Sequence, residues 1–297
     1  MSLRAWAAFA ALCVIWGIPY FLIKVAVVEI PPLLLAWARV VLATAVLLPV
    51  AWRRGALGSL SGHKAALCAF ALAEFAIPFA AISWGEQWIS SSVTGILIAT
   101  VPLWVVLLAR SFGVHEPLGI RRTIGLALGF IGVVALLGFG TISGLRGWAG
   151  VGCVLLAALG YAVGPLIIQR HLRGLDAVGP LATCLGIAAA LLTLPAMRLL
   201  PAEWPSAAAL ASLVVLGVLC TAIAMLLMFY LVNHAGASRA SLITYVNPAV
   251  ASLLGIGLLG EHLGAGGIAA FGMIVAGSWL ASRRAAQGLE PRLAAER

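Results

Sequence analysis

Runs of about twenty apolar residues recur along the whole of this 297-residue chain, and that recurrence leaves few folds open. A bilayer's hydrocarbon core is roughly 30 Å thick, so one helical crossing needs about 20 mostly apolar residues. Punctuation by Pro, Gly and charge delimits ten such spans: 5–28, 32–52, 65–84, 91–111, 121–139, 148–168, 177–197, 206–231, 239–259 and 266–282. No stretch remains for a separate soluble domain. Charged residues make up only 9% of the chain, against about a quarter in soluble domains, so a soluble fold of this length could not wet its surface. The expected fold is all-α, a polytopic membrane protein of ten transmembrane helices with the lipid bilayer as its solvent.

The net charge of +9 does not signal nucleic acid, because no aromatic and basic residues interleave as a single-strand binder requires. The charges instead orient the chain. With the N-terminus inside, fourteen Lys and Arg fall in segments on the cytoplasmic side (Arg4, Arg53, Arg54, Lys64, Arg110, Arg121, Arg122, Arg170, Arg173, Arg239, Arg283, Arg284, Arg292 and Arg297). Only Arg146 and Arg198 fall in the opposite loops, and Lys24 and Arg39 lie within spans. Both termini are therefore expected in the cytoplasm. The five cysteines, Cys13, Cys68, Cys153, Cys184 and Cys220, all sit in apolar spans without a Cys-x-x-Cys pair, so neither a disulfide nor a metal is expected. The first span is too long for a signal-peptide core and reads as a retained helix.

The two halves match at an offset of about 145 residues. Glu116-Pro-Leu-Gly119 returns as Glu261-His-Leu-Gly264, Gly132 as Gly277, Pro102 as Pro248, Pro49 as Pro195, and Trp16 as Tyr161. Each half holds five spans, an odd number, so the second copy enters the membrane from the opposite side. The domains expected are residues 1–143 and 144–284 as two inverted five-helix repeats, with 285–297 a polar cytoplasmic tail. In secondary transporters such repeats place the substrate near the midplane and permit alternating access.

Ionisable residues within spans mark function by default. Lys24 lies about four residues from the end of its span, roughly 6 Å, within reach of the headgroups by snorkelling. Arg39, about seven residues in, also has length to approach the interface. Glu74 lies about ten residues deep, roughly 15 Å, at the midplane. There it either faces a hydrated cavity and handles substrate or proton, or stays protonated and ties two helices together. Phe75, Pro78 and Phe79 share its face at helical spacing. Trp16 stands mid-span beside Gly17 and Pro19, where a helix break exposes backbone to a ligand, and Tyr161, near Pro165, is its counterpart. Tyr245, Asn247 and Pro248 form a polar bend, more polar than the matching Thr100 and Pro102. Asn247 can offer donor and acceptor to a zwitterion, or fill the kink by bonding freed carbonyls. Trp84 and Tyr230, matched at the repeat offset, are expected near the two cavity mouths. Glu116 and Glu261 precede helices, where a carboxylate favours the N-terminus. Gly125-x3-Gly129 and Gly160-x3-Gly164 read as close helix contacts.

No nucleophile elbow, P-loop or His-x3-His pair occurs, so neither an enzyme nor a cofactor is expected, nor an obligatory protein partner. A passive channel would need a continuous hydrated path, and polar rings along several helices are lacking.

The series Trp16-Gly17, Lys24, Arg39, then Pro102…Glu116…Gly132 and its copy Pro248…Glu261…Gly277, resembles the EamA-type transporters of the drug/metabolite transporter superfamily. The resemblance covers nearly the whole chain. It implies a ten-helix exporter of the bacterial inner membrane with a central cavity, and an Arg at position 39 in a packing or gating contact. Within that superfamily the chain looks most like the YddG amino-acid exporters, which implies a cargo of amino acids, aromatic ones included. Export of drugs or other small metabolites is the alternative. Ala162, where the family pattern has a glycine beside the aromatic, departs from strict equivalence of the two cavity walls.

Overall fold

The computed structural model describes residues 2–112, 119–138, 142–172, 175–235 and 243–282. Among them every regular element is helical. Eight helices are long and apolar enough to cross a membrane: α1 (Leu3–Ala26), α2 (Pro32–Arg53), α3 (Lys64–Gly85), α4 (Ser91–Leu108), α5 (Ile120–Gly138), α6 (Gly144–Ile168), α7 (Val178–Met197) and α8 (Ala207–Met228). Two shorter apolar helices, α9 (Ile243–Leu259) and α10 (Ala265–Ala281), complete the bundle. Helices are what lipid demands, since no water is present in the hydrocarbon to satisfy an open backbone group.

Local chemistry sets the ends. Pro32 opens α2 where its missing N–H is not needed. Ser90 and Ser206 cap α4 and α8, their hydroxyls accepting from Val93 N–H and Ala209 N–H at 3.2 Å each. Gly55 and Gly260 close α2 and α9 at φ +65°, a left-handed turn that favours glycine.

The halves pack with the symmetry of the inverted repeat. α5 lies against α10, α2 against α7 and α4 against α9, while α3 rests on α6 as α8 rests on α1. The α5–α10 seam is closest. A Cβ added at Gly277 would collide with the backbone of Gly125 and Gly129, and one at Gly125 with Gly277 and Ala281. Small residues let these backbones meet, as the Gly-x3-Gly spacing predicts.

Departures from regular helix are also paired. α3 is π-helical over Ala71–Ala76 and α8 over Val215–Ile223, positions that coincide under the repeat offset. α4 breaks at Ala99-Thr100 just before Pro102, and Ser278 Oγ donates to the Ala99 carbonyl at 2.9 Å. α1 breaks at residues 16–18, as the Trp16-Gly17-Pro19 sequence predicts. Its counterpart does not break: α6 runs continuously through Tyr161 and Pro165. α9 likewise passes through Pro248 unbroken. The two walls are unequal where Ala162 replaces glycine.

One end of the bundle gathers loops 27–31, 86–90, 198–206 and 260–264. Glu29, in the first of these, accepts from Ser206 N–H and from Ser206 Oγ (2.7 Å), and these bonds hold its carboxyl below the usual range. Glu261 caps a helix, though not the one that follows it. Its carboxylate accepts from Ser91 N–H (2.7 Å) and Oγ (2.9 Å) and from Ser92 N–H (2.9 Å) and Oγ (2.6 Å), at the start of α4 in the other half. Glu116, its repeat mate, lies outside the described residues, as do Arg173, Arg239, Arg283 and Arg284. Trp52, Trp148 and Trp204 are exposed, in keeping with an interfacial belt.

Candidate functional site

The centre of the bundle is built around Arg39. It is 6% exposed, not extended toward the interface as its length allowed. Its Nε donates to Thr221 Oγ1 at 2.9 Å, and its guanidinium lies 3.7 Å from the Phe79 ring centroid. The π-helical turn of α8 makes this possible. Thr221 Oγ1 donates in turn to the Leu216 carbonyl five residues back (2.8 Å), so the hydroxyl is aimed and its lone pair left for Arg39. A cation held over an aromatic face gains about 2 kcal/mol or more when desolvated. Tyr20 and Tyr161 stand within electrostatic reach of the same guanidinium.

Trp16 also engages the widened turn of α8, donating from Nε1 to the Cys220 carbonyl at 3.3 Å. Across the repeat, the matching turn of α3 meets α6. A Cβ at Gly160 would strike the Ala73 carbonyl and Pro78, and one at Gly164 would strike Glu74 Oε2. Glu74 is partly exposed, its Oε2 buried with no hydrogen-bond partner and set against the bare backbone of α6. Phe75 is fully buried, edge-on to Phe70 and Phe79, so it supports Phe79 rather than lining a space.

The ninth-span cluster separates. Asn247 is buried and turned to α1. With its amide oriented to suit its neighbours, Nδ2 donates to the Ile243 carbonyl (3.0 Å) and the Cys13 carbonyl (3.2 Å). The Cys13 carbonyl is one that the break of α1 sets free, since Gly17 N–H turns to Val14, so Asn247 serves the break in α1 and not a kink in its own helix. Tyr245 lines a cleft of about 460 Å³ with Phe9 of α1 and Trp279 of α10. Trp84 pairs with Trp88 at 6.3 Å near the end of α3, and Tyr230 stacks on His234 at 4.1 Å.

Two residues differ most from expectation. Lys24 does not snorkel to the headgroups: Nζ donates to the Glu86 and Ile89 carbonyls (2.5 and 2.8 Å), holding loop 86–90 against α1. Glu86, two residues past the expected span 65–84 and not singled out from the sequence, is fully buried with neither carboxylate oxygen partnered. Lys24 and Glu86 lie near the same end of their helices, and that shared end was the available signal.

An all-helical bundle of two inverted halves around a buried cation, aromatic rings and acids is the architecture that secondary membrane transporters use. The sequence profile of the EamA-like transporter family matches residues 4–138 and again 148–283. The chain belongs to that family and is a multi-pass inner-membrane transporter. It is 30% identical to the uncharacterized inner membrane transporter YedA of Escherichia coli K12, over 92% of this chain and 89% of YedA. It is 26% identical to the uncharacterized transporter YoaV of Bacillus subtilis 168, over 81% of this chain and 84% of YoaV. A solved crystal structure shares the fold at a TM-score of 0.67 and 20% identity, covering 96% of this chain and 100% of that one. Neither relative's name states a cargo.

Proposed function

We propose that the chain exports amino acids, aromatic ones among them, by alternating access of the halves 1–143 and 144–284 about a site at Arg39. The observation that carries this reading is the buried guanidinium on Phe79. A cation so placed offers the planar donor fork that a carboxylate matches. Tyr161 and Trp16 supply faces for an aromatic side chain, worth about 0.5–1.5 kcal/mol beyond area burial, while the Phe79 face holds Arg39. Two acids are candidates to receive an amino group: Glu86, within electrostatic reach of Arg39 at the end that gathers loops 86–90 and 260–264, and Glu74, within reach of Tyr161.

Orientation belongs to the same reading. With both termini cytoplasmic, loop 86–90 is extracytoplasmic, and cargo leaves past Glu86. Counterflow in proteoliposomes loaded with unlabelled phenylalanine tests the function. Labelled phenylalanine should accumulate transiently and saturably, and unlabelled tryptophan and tyrosine should compete. Accumulation driven only by an unrelated drug or sugar would replace amino acids with another cargo, and non-saturable flux would indicate a channel.

A further inference from the structure

Glu86 combines three features that ordinary packing does not explain. It is fully buried, both carboxylate oxygens lack a partner, and it lies within electrostatic reach of Arg39 and Tyr20. A carboxylate taken from water without donors is among the costliest groups a fold can hold. The groups that face it are known from every side. On α1 these are Tyr20 and Lys24, on α2 Arg39, on α4 the Thr94 hydroxyl, and from the α9–α10 loop Glu261. The Lys24 ammonium is directed to the Glu86 and Ile89 carbonyls, and Glu261 is spent on Ser91 and Ser92. The Thr94 hydroxyl is the one neighbour placed to bond the carboxyl, and its single hydrogen is shared with the Ser90 carbonyl at 3.0 Å. When that hydrogen goes to Ser90, a carboxylate has nothing to offer Thr94, whereas a carboxylic acid has one hydrogen. Glu86 lies outside the helices that span, and burial pushes its carboxyl well above the usual range, against the pull of Lys24.

The repeat adds an independent argument. At offsets of 145 and 146, Glu86 corresponds to Leu231 and Val232, and Arg39 to Cys184 and Leu185. An acid kept to stabilise the fold would serve equally well in both halves. This one is confined to a single end, beside the guanidinium read above as the carboxylate site.

We infer that Glu86 is the binding site for the ammonium group of the cargo, and that in the closed, unloaded protein this carboxyl holds a proton which the arriving ammonium displaces. The step is balanced. The neutral carboxylic acid of Glu86 and the cationic ammonium of the cargo become a carboxylate–ammonium ion pair, and one proton leaves to water. Only the O–H bond of the acid breaks, and the ammonium keeps all its hydrogens. Glu74 is less suited, because its carboxyl is set against Gly164 of α6 and not toward Arg39. The inference rests on the amino-acid reading of the site.

Calorimetry of the full-length protein in detergent, at about pH 6.5 in buffers of different ionisation heat, counts protons released on binding. Phenylalanine should release about one proton per molecule bound, whereas 3-phenylpropionate, which lacks the ammonium, should release none. Glu86→Gln should abolish the release and weaken phenylalanine at least about tenfold. Glu86→Asp should restore release. Phenylalanine binding by the native protein without proton release, or release that survives Glu86→Gln, overturns the inference. The native-protein measurement decides even where Glu86→Gln fails to fold. Failure of the native protein both to bind phenylalanine and to exchange it in counterflow overturns the amino-acid reading instead, and the inference falls with it.

Discussion

At the scale of single residues, the contacts of Arg39 distinguish a shaped site from a stray buried charge. The guanidinium spends one donor on Thr221 and one face on Phe79, leaving its remaining donors for a ligand. Arg39→Lys keeps the charge but loses both the planar fork and the stacking geometry, so it is not conservative here. With aromatic amino acids as cargo, it should raise the KM for phenylalanine counterflow about tenfold, a cost of roughly 1.4 kcal/mol, while expression and melting temperature change little. An unchanged KM would assign Arg39 to packing. The same variant should hurt tryptophan and threonine alike, because the carboxylate is common to both. What sequence could say of these residues depended on depth. Glu74 and Arg39 stood out because span lengths measure depth along a helix. Glu86 did not, since depth along a helix says nothing about what covers a loop, and here α1, α4 and the α9–α10 turn cover it.

At the scale of elements, the helices themselves were legible because twenty apolar residues in lipid have one stable backbone arrangement. Their irregularities were only half legible. The α1 break follows from Gly17 and Pro19, and the α4 break lies beside Pro102, yet Pro165 and Pro248 leave their helices continuous. A proline removes one donor, and whether the helix parts depends on who takes the freed carbonyl. In α4 the break itself frees the Ala99 carbonyl, because Leu103 N–H turns to Thr100, and Ser278 takes it. The π-helical turns of α3 and α8 carry no such marker residue, and only the packing of Trp16 and Gly160 against them accounts for their position. Glu261 shows the same principle across the repeat. Its four bonds to Ser91 and Ser92 satisfy donors at the start of α4, which no side chain of the first half reaches. Glu261→Ala removes a charged cap and leaves those donors short. We expect a loss of about 1–2 kcal/mol, visible as a lower melting temperature in detergent. Glu261→Gln, which retains two acceptor positions on one oxygen, should recover part of the loss. Equal stability in all three proteins would mean that water replaces the carboxylate at this end.

At the scale of the whole molecule, the inverted repeat makes the two ends of the bundle equivalent in backbone and opposite in chemistry. The end that gathers loops 27–31, 86–90 and 260–264 holds Lys24, Glu86, Glu261 and the Glu29–Ser206 bonds. The other end has Arg53, Arg54 and Lys64 in its connection between α2 and α3. Lys and Arg are retained on the cytoplasmic side of short loops, so the arginine-bearing end should face inward. That places the acid-rich end outside, the side from which the exporter proposed above would reload the Glu86 proton. Single cysteines test it directly, in a background with all five native cysteines replaced. Arg54 and Ser143 are both exposed and lie at opposite ends, so each should be open to a reagent from its own side only. An impermeant thiol reagent added to intact cells should label Ser143→Cys and spare Arg54→Cys, and membrane permeabilisation should make both react. Labelling of Arg54→Cys in intact cells would invert the molecule. Cargo would then meet Glu86 on entering from the cytoplasm and not on leaving, and that carboxyl would reload its proton from the cytoplasm instead of from outside.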